Sequence, residues 1–327
     1  MKEKHILQWH ITHTCNLRCK HCYQEDYVQD LKIEELEKIL DNYIEFLKLK
    51  NFKGHINFTG GEPLSNGCKA KLYELMKICD ENNITYGILT NGTLLNEKII
   101  EELKQHKGLK FVQMSLEGTP KVNDKIRGKG TFNKVMKAVK MLNNANIETM
   151  ISFTIHEGNF KELRKLIWIC RLHRVKRFWT DRFVPIGGAE ECEIKPISTT
   201  NFVKSMTVLG QEYRLNLLGT RVHANRAMQF MSGCGEFYEC AAGKNLLTIL
   251  ADGTVLPCRR LPLKVGNALE DTLYYIYSRN NTMKQLIDSE NNACITCGLY
   301  GKCKGGAKCL TYAVTGSLNN KDVNCIF

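Results

Sequence analysis

Residues 6–22 read ILQWHITHTCNLRCKHC, in which an apolar run is followed at once by three cysteines. The run at 6–11 has the apolar and β-branched content of a strand, so the cysteine loop begins where a strand ends. Cys15, Cys19 and Cys22 follow the spacing C-x3-C-x2-C. Three thiolates on one tight loop can hold three irons of a [4Fe–4S] cluster and leave the fourth iron open for a substrate or cosubstrate. The alternative is a zinc loop, but structural zinc sites prefer four ligands and paired C-x2-C knuckles.

Strand and helix patterns alternate along the chain after this loop. The strand-like segments HINFT, YGILT, FVQMS, TMISFTI and KRFWTDRF each run into a polar or Gly-containing turn. Apolar positions at helical spacing separate them, at 32–49, 69–82, 96–106, 131–145 and 159–173. This alternation predicts parallel βαβ units whose functional loops lie at the carboxyl ends of the strands. About six units fit before the pattern changes, so we expect an α/β fold with a partial (β/α)6 TIM barrel.

The pattern changes twice toward the carboxyl terminus. Residues 1–188 carry the alternation, residues 189–233 are mixed and mostly helical, and residues 234–327 are rich in Cys and Gly. We therefore predict a barrel domain, a bridging helical region and a cysteine-rich C-terminal domain with these boundaries.

The cysteine content is high for a chain of 327 residues. Fifteen cysteines are an odd number, and the first residues contain neither a signal-peptide h-region nor a cleavage site. This favours metal–sulfur chemistry over a disulfide framework. No stretch approaches the roughly 18 apolar residues of a membrane span, so we predict a cytoplasmic protein with no membrane partner. Cys68, Cys79, Cys170 and Cys192 stand in helical or isolated contexts and are expected to be plain thiols.

The formal charge of +12 raises the question of a nucleic-acid partner. The excess Lys is scattered along helical segments such as KIEELEKIL, with acidic residues interleaved and no basic block. A solvated Lys-rich surface without nucleic-acid binding is therefore expected. Such a surface would still attract an acidic peptide or an anionic redox partner.

The segment CNLRCKHCY resembles the radical S-adenosylmethionine (SAM) superfamily, and three companion motifs of that family follow in its order. These are GGEP at 60–63, TNG at 90–92 and SLEG at 115–118, each at the end of a predicted strand. The resemblance implies that the SAM amine and carboxylate chelate the open iron, and that the reduced cluster cleaves SAM to a 5′-deoxyadenosyl radical. His21, just before the third cysteine, would then pack against the adenine.

The same resemblance assigns cofactor-binding roles to residues of the companion motifs. Backbone carbonyls near Glu62 suit a cationic α-amine, and Arg127, in KIRGKGTF, looks like the family's carboxylate-binding arginine. Glu117 stands where the family has Asp. Thr154 and His156, after the fifth strand, would line the same face. The full cofactor-binding set is His21, Gly60, Gly61, Glu62, Pro63, Thr90, Asn91, Ser115, Glu117 and Arg127.

A second cysteine group resembles the SPASM extension, a C-terminal domain that holds two auxiliary iron–sulfur clusters in peptide-modifying radical enzymes. By that pattern the ligands are Cys234, Cys240 and Cys258 for the first auxiliary cluster, and Cys294, Cys297, Cys303 and Cys325 for the second. The pattern's fourth ligand for the first cluster falls on Ala307. Either Cys309 replaces it, or the cluster has an open iron or is a [2Fe–2S] form. We favour Cys309, because Gly305 and Gly306 make the loop pliable. Zinc knuckles are the alternative for this region.

These resemblances predict an enzyme that abstracts hydrogen from a peptide and installs a post-translational modification, such as a thioether, another crosslink or an epimerised residue. The alternatives are a small-molecule enzyme of haem or quinone-cofactor biosynthesis, formylglycine formation in a sulfatase, and a non-catalytic iron–sulfur carrier or zinc-binding adaptor. Sulfatase-maturing relatives carry Asp directly after the third cysteine of the first auxiliary set, where this chain has Arg259 followed by Arg260. Two arginines there suit an acidic substrate segment or a carboxylate near the second site.

The expected partners are a peptide precursor and a low-potential electron donor such as flavodoxin or ferredoxin. The chain starts directly at its first predicted strand. A leader-peptide-binding domain would therefore have to be a separate protein, or the enzyme reads its substrate directly.

Overall fold

The structure, a computed structural model, describes residues 2–24, 30–190, 192–288 and 291–327. Its first part is a series of parallel strands, each followed by one or two helices. The elements are β1 Lys4–His10, α1 Ile33–Leu49, β2 Lys53–Thr59, α2 Lys69–Glu81, β3 Thr85–Thr90, α3 Glu97–Leu103, β4 Leu109–Ser115, α4 Pro120–Arg127, α5 Thr131–Asn144, β5 Thr149–Ile155, α6 Leu163–Leu172 and β6 Arg177–Arg182. The predicted partial (β/α)6 barrel is confirmed. The helix α4 was not predicted.

The second part continues with shorter elements. They are α7 Thr199–Tyr213, β7 Arg221–Val222, β8 Leu246–Ile249, β9 Thr254–Leu256, β10 Gly266–Asn267, α8 Leu273–Arg279, α9 Asn281–Asp288, α10 Tyr300–Cys303 and α11 Lys308–Thr315. None of the described helices is both long and apolar enough to cross a membrane.

Within the described residues, all of these strands form one sheet in the order β10-β9-β8-β1-β2-β3-β4-β5-β6-β7. The cysteine-rich region contributes three of them: β8 pairs in parallel with β1, and β9 and β10 extend that edge in antiparallel fashion. At the other edge β7 pairs in parallel with β6. The sheet thus joins the beginning of the cysteine-rich region to the first strand of the barrel. The boundaries at residues 188 and 233 stay predictions.

Alternation along the strands separates the two faces of the sheet. Val112 and Met114 on β4 are fully buried in the main core, against which the helices pack. Gln113, between them, points to the opposite, inner face, and its side-chain oxygen accepts a hydrogen bond of 2.9 Å from the indole N–H of Trp179 on β6. The helices therefore cover the outside of the barrel, and polar side chains line the inside.

Candidate active site and auxiliary cluster sites

The cysteine loop leaves β1 and runs against the GGEP turn that follows β2. The Gly61 N–H donates to the Thr12 carbonyl and the Glu62 N–H to the Thr14 carbonyl, both at 2.8 Å. A Cβ atom on Gly61 would lie only 2.2 Å from the Thr14 oxygen, and one on Gly60 would lie 2.4 Å from the Thr12 oxygen. Only glycine fits this approach of two backbones. The glycines of the motif therefore hold the cysteine loop in place.

Glu62 links the GGEP turn to the end of β3. Its carboxylate is fully buried and accepts hydrogen bonds from the Thr90 hydroxyl at 2.6 Å, the Asn91 N–H at 2.7 Å and the Leu64 N–H at 3.0 Å. Burial raises the pKa of Glu62, and these three donors oppose that rise. Pro63 is also buried. Both oxygens of Glu62 are thus occupied within the chain, and its side chain orients the TNG turn.

The three thiols of the loop are half-buried, and burial raises the pKa of Cys15 and Cys19, with a smaller contribution from the neighbouring cysteines of the loop. The Leu17 N–H lies 3.4 Å from the Cys15 sulfur, and the Asn91 amide nitrogen lies 3.9 Å from the same sulfur. A guanidinium nitrogen of Arg127 lies 3.9 Å from the Cys19 sulfur. Donors and positive charge around the sulfurs suit thiolates that bind iron. This environment fits the cluster that the spacing predicts.

Glu117 is the centre of a buried charge network at the end of β4. One of its oxygens accepts from Arg127 at 2.6 and 3.0 Å and lies 3.1 Å from the Nε2 atom of His21. The other oxygen accepts from the Thr154 N–H at 3.0 Å. Burial alone would raise the pKa of Glu117, but the charges of Arg127 and His21 lower it to about 2. The structure thus brings three predicted residues together through bonds to one another.

His21 keeps one polar atom without a partner. Its Nδ1 is buried and finds no hydrogen-bond partner among the described residues. A buried nitrogen left in this state is costly unless a bound group satisfies it. The edge of a cofactor beside the cysteine loop would supply that partner, so His21 fits the predicted role.

Two further predicted residues lie at the ends of neighbouring strands. The Ser115 hydroxyl lies 3.2 Å from that of Ser152, and both face the inside of the barrel. His156 is buried, and burial lowers its pKa to about 4. Its Nδ1 accepts from the Gly158 N–H at 3.1 Å. The His156 N–H donates to the Asn159 side chain at 2.8 Å, and Asn159 in turn donates to the Glu117 carbonyl, whereas no described hydrogen bond joins Ser115 to Glu117.

Asparagines complete the site, and the sequence interpretation missed them. The Asn123 side chain accepts from the Glu117 N–H at 3.0 Å, and the Asn159 side chain donates to the Glu117 carbonyl at 3.3 Å. Asn16, inside the cysteine motif, accepts from the Asn91 amide at 2.8 Å. Buried Asn residues at strand ends are a weak sequence signal, because Asn is also common in turns. Only the position of Asn16 between two cysteines could have pointed to it.

The first auxiliary set is brought together in part. Cys240, Cys258 and Cys309 belong to one apolar cluster with Leu261 and Ala307. Burial raises the pKa of Cys309 to about 12; Arg260 opposes that rise, and the thiols of Cys258 and Cys240 add to it. Cys309 therefore lies beside two predicted ligands of the first cluster.

Cys234 lies differently. Its sulfur is 3.6 Å from the Gly210 carbonyl on α7, and Cys234 does not belong to the apolar cluster of Cys240, Cys258 and Cys309. Cys234 follows Gly233, which has a positive φ of 72°, and so leaves a turn rather than a strand. Its assignment to the first cluster stays a prediction.

The second auxiliary set surrounds a single cavity. This cavity is lined by Cys294, Cys297, Cys303 and Cys325. Apolar side chains, including Met228 and Phe230, complete the wall. Four thiols around a largely apolar cavity fit an iron–sulfur cluster. Within the described ranges, no three His, Cys, Asp or Glu side chains converge on a single-ion site, and cluster ligands need not converge, since each cysteine binds its own iron.

The two arginines after Cys258 point inward. An Arg259 guanidinium nitrogen donates to the Tyr23 carbonyl at 3.0 Å, and the guanidinium lies 4.3 Å from the centre of the Tyr23 ring. Arg260 forms an ion pair with Asp181 of β6. The carboxylate expected near the second site thus belongs to the chain itself. Tyr23 follows Cys22, so Arg259 joins the first auxiliary region to the cysteine loop.

Together, the partial barrel, the cysteine triplet at its carboxyl edge and the two cysteine-rich regions define an enzyme that uses SAM and iron–sulfur clusters. Residues 9–167 match the model of the radical SAM superfamily, and residues 240–299 match that of the SPASM iron–sulfur cluster-binding domain. The chain belongs to the radical SAM superfamily and carries a SPASM domain. Its cofactors are a SAM-binding [4Fe–4S] cluster, SAM and two auxiliary iron–sulfur clusters.

Relatives of this chain have different named activities. It is 24% identical to the AdoMet-dependent heme synthase of Methanosarcina barkeri, over 98% of this chain and 96% of that protein. It is 28% identical to the sporulation killing factor maturation protein SkfB of Bacillus subtilis, over 87% of this chain and 67% of that protein. The SAM-bound structure of Streptococcus suis SuiB covers all of this chain and 78% of its own, with a TM-score of 0.80 and 19% identity. The last likeness establishes the fold.

Proposed function

We propose that this enzyme abstracts hydrogen from a peptide substrate and thereby installs a post-translational modification. The observation that carries the proposal is the contact between the cysteine loop and the first auxiliary region. Tyr23, next to Cys22, packs in the same apolar cluster as Cys240 and Cys258 and is stacked under Arg259. A substrate at the barrel mouth would lie between the cysteine loop and the first auxiliary region. The first auxiliary cluster would then accept the electron that is released when a new bond forms in the substrate.

The residues of the site have separate proposed tasks. Cys15, Cys19 and Cys22 hold the cluster, and bound SAM supplies a 5′-deoxyadenosyl radical, which can remove hydrogen from an unactivated C–H bond. Glu117, ionised and bonded to Arg127 and His21, fixes the edge of the SAM pocket. Cys309 replaces the ligand missing at Ala307, because its buried sulfur is next to Cys240 and Cys258. Cys294, Cys297, Cys303 and Cys325 hold the second auxiliary cluster.

The names of two similar proteins favour a peptide substrate. SkfB is named as a maturation protein, and SuiB has been solved with its precursor peptide SuiA, in a structure that aligns with 100% of this chain. The second candidate is a small-molecule enzyme of haem biosynthesis, which the similarity to the heme synthase over 98% of the chain favours. Membership of the radical SAM superfamily argues against a non-catalytic iron–sulfur carrier.

Formylglycine formation is disfavoured by the environment of Arg259. Sulfatase-maturing relatives would need a carboxylate base directly after Cys258, and the side chain at this position instead binds the Tyr23 carbonyl and ring. An arginine guanidinium cannot act as that base, because it stays protonated.

The proposed partners are a precursor peptide and a low-potential donor such as flavodoxin or ferredoxin. We also propose that the protein works in the cytoplasm. None of the fifteen cysteines, all of which lie in described residues, is paired in a disulfide, which suits a reducing compartment.

Anaerobic reconstitution with iron and sulfide, followed by reduction with dithionite in the presence of SAM, tests the radical chemistry. We expect the protein to form 5′-deoxyadenosine and Cys19→Ala to form none, whereas Cys192→Ala, which removes a thiol outside the predicted ligands, keeps the activity. A fully loaded and reduced wild-type protein that forms no 5′-deoxyadenosine would contradict the proposal. The peptide question is decided by mass spectrometry of short peptides encoded beside the gene. A mass change in such a peptide supports peptide modification, and turnover of a porphyrin substrate instead supports the second candidate.

A further inference from the structure

The inner face of β6 carries a group of polar and aromatic side chains. Phe178 and Thr180 are fully buried on the outer side, so Trp179 and Asp181 project inward by alternation. The indole of Trp179 is held by its hydrogen bond to Gln113. Asp181 is paired with Arg260, and the charges of Arg260 and then of Arg226 keep the pKa of Asp181 lowered in spite of burial. These contacts fix the wall on which a further side chain rests.

That side chain is Arg226. Its guanidinium lies 4.6 Å from the centre of the Trp179 ring and 5.9 Å from that of Tyr238. Two aromatic rings thus hold one flat cation on the inner face. Aromatic contacts of this kind fix a guanidinium but leave its N–H groups free to donate.

Arg226 differs from four other arginines of this part of the chain in forming no ion pair with a carboxylate. Arg127, Arg177, Arg182 and Arg260 each form an ion pair with a Glu or Asp side chain. Among the residues that the structure describes, no acidic side chain forms an ion pair with Arg226, although Asp181 is near enough for the two charges to interact. The described hydrogen bonds of Arg226 are those of its main chain: its N–H donates to the Gln229 side-chain oxygen at 3.0 Å, and its carbonyl accepts from the Gln229 N–H at 2.9 Å. A cation on the inner face thus has open donors.

The neighbouring charges favour an anion at this position. The pair of Asp181 and Arg260 is neutral overall, so adding Arg226 gives the group a net charge of +1. A carboxylate can accept two parallel hydrogen bonds from the edge of a guanidinium. The ring contacts with Trp179 and Tyr238 leave that edge as the accessible part of the side chain.

We propose that Arg226, stacked on Trp179 and Tyr238, binds a carboxylate of the substrate and so selects acidic substrates. The proposal rests on the proposed function in one respect, namely that the substrate enters the barrel from its carboxyl edge. Tyr238 is two residues before Cys240, so the bound carboxylate lies beside the first auxiliary region. The substrate is then anchored on one side of its reacting carbon. The carboxylate belongs either to an acidic residue of a peptide or to a small molecule.

Binding to the reconstituted enzyme tests this with matched acid and neutral probes. One pair is a capped pentapeptide with a central Glu and the same peptide with Gln; the other is coproporphyrin III and its tetra-amide. Equilibrium dialysis under anaerobic conditions measures each affinity. We expect at least one acid to bind about tenfold more tightly than its neutral partner, as a charge-assisted bidentate contact implies. A preference in the peptide pair indicates a peptide source, and one in the porphyrin pair a small-molecule source.

Variants at Arg226 decide whether this residue is the cause. Arg226→Gln should abolish the preference for the acid, and Arg226→Lys should retain only part of it. The control is Arg221→Gln, an exposed arginine on β7 whose replacement removes the same charge and should keep the preference. Iron content and circular dichroism confirm that each variant is folded.

Equal binding of acid and neutral probes in both pairs overturns the proposal, as does a preference that survives in Arg226→Gln. The proposed function fails separately, if wild-type enzyme forms no 5′-deoxyadenosine with SAM and reductant. A wild-type enzyme that forms 5′-deoxyadenosine but lacks the acid preference overturns only the role of Arg226.

Discussion

Replacing Asp322 with Asn should destabilise the protein strongly, because Asp322 joins the C-terminal segment to the barrel. Its carboxylate accepts two hydrogen bonds from Arg182 of β6, at 2.5 and 2.7 Å. It also accepts from the Ala307 N–H at 2.7 Å and from the Asn324 N–H at 3.0 Å. Both side chains of the ion pair are almost fully buried, at 3% and 1% exposure. One carboxylate therefore binds both Ala307, which directly precedes α11, and the segment that leads to Cys325.

The expected cost follows from the charge that remains. Breaking a buried ion pair by removing one partner costs about 3–5 kcal/mol, because the other charge stays buried and uncompensated. The Asn side chain can still accept one bond from Arg182, which places the expected loss near the lower limit, about 3 kcal/mol. The free energy of unfolding of a typical protein is only about 5–15 kcal/mol, so a loss of this size is large. The double variant Arg182→Met/Asp322→Leu should cost less than the sum of the two single changes, since no charge is left unpaired.

Anaerobic urea unfolding of the reconstituted protein, followed by tryptophan fluorescence, measures these differences. Asp41→Asn, which removes an equal charge from an exposed position of α1, should change stability by no more than about 0.5 kcal/mol. Iron content is a second measurement, and Asp322→Asn should lower it, because Cys325 lies three residues beyond the lost anchor. A loss below about 1 kcal/mol, or a double variant whose cost equals the sum, would refute this reasoning.

Three further predictions concern the cluster sites. Cys309→Ala should lower the iron content by up to about four atoms, whereas Cys79→Ala, a core thiol of α2, should leave it unchanged; equal iron in both would show that Cys309 is not a ligand. The pKa of Glu117 is lowered to about 2 from its usual value of 4.5. Its ionised form therefore stabilises the folded protein fully above about pH 4.5, and this stabilisation is lost as the pH falls toward 2. Urea unfolding of the metal-free protein between pH 5 and 2 should therefore show a steeper loss for wild type than for Glu117→Gln, and parallel curves would contradict this. Arg259→Lys loses much of the contact with the Tyr23 ring, worth about 1 kcal/mol, and a chelator should remove iron from it about fivefold faster than from wild type; an unchanged rate would exclude a role in holding the loop.

The order of the strands and the position of the cysteine loop could be predicted from the sequence, because each depends on local patterns. The strand before Cys15 is one apolar run, and the GGEP and TNG motifs stand directly after two others. A short loop after a parallel strand lies at the carboxyl edge whatever its neighbours are. This is why local information was sufficient for the fold class and for placing the cysteine loop.

The partners inside the site could not be predicted in the same way. Arg127 was expected to face a carboxylate of SAM, and in the structure it is bonded to Glu117, ten residues away and across a helix. Arg259 and Arg260 were expected to meet a substrate or a carboxylate, and they meet Tyr23 and Asp181. Such pairs depend on which strand ends lie side by side, and a buried charge pairs with whatever partner the fold offers.

The strands β8 to β10 escaped prediction for a related reason. They are only two to four residues long, too short for alternation to be recognised. The register that places Leu246 beside Ile6 also brings the region before Cys258 next to β1, and so next to the cysteine loop. Three short strands therefore determine the distance between the cysteine loop and the first auxiliary region.

The same connections imply that the three cysteine regions do not form independently. Tyr23 and Arg259 join the loop of Cys22 to the turn after Cys258, and Asp322 joins the start of α11, which carries Cys309, to the segment of Cys325. The first auxiliary region thus shares a contact with each of the other two regions, through residues adjacent or near to predicted ligands. A change that empties one region removes packing from the next, because buried groups that lose a partner must rearrange. Iron loss in variants such as Cys309→Ala is therefore expected to be greatest at the mutated site and smaller, but measurable, at its neighbour.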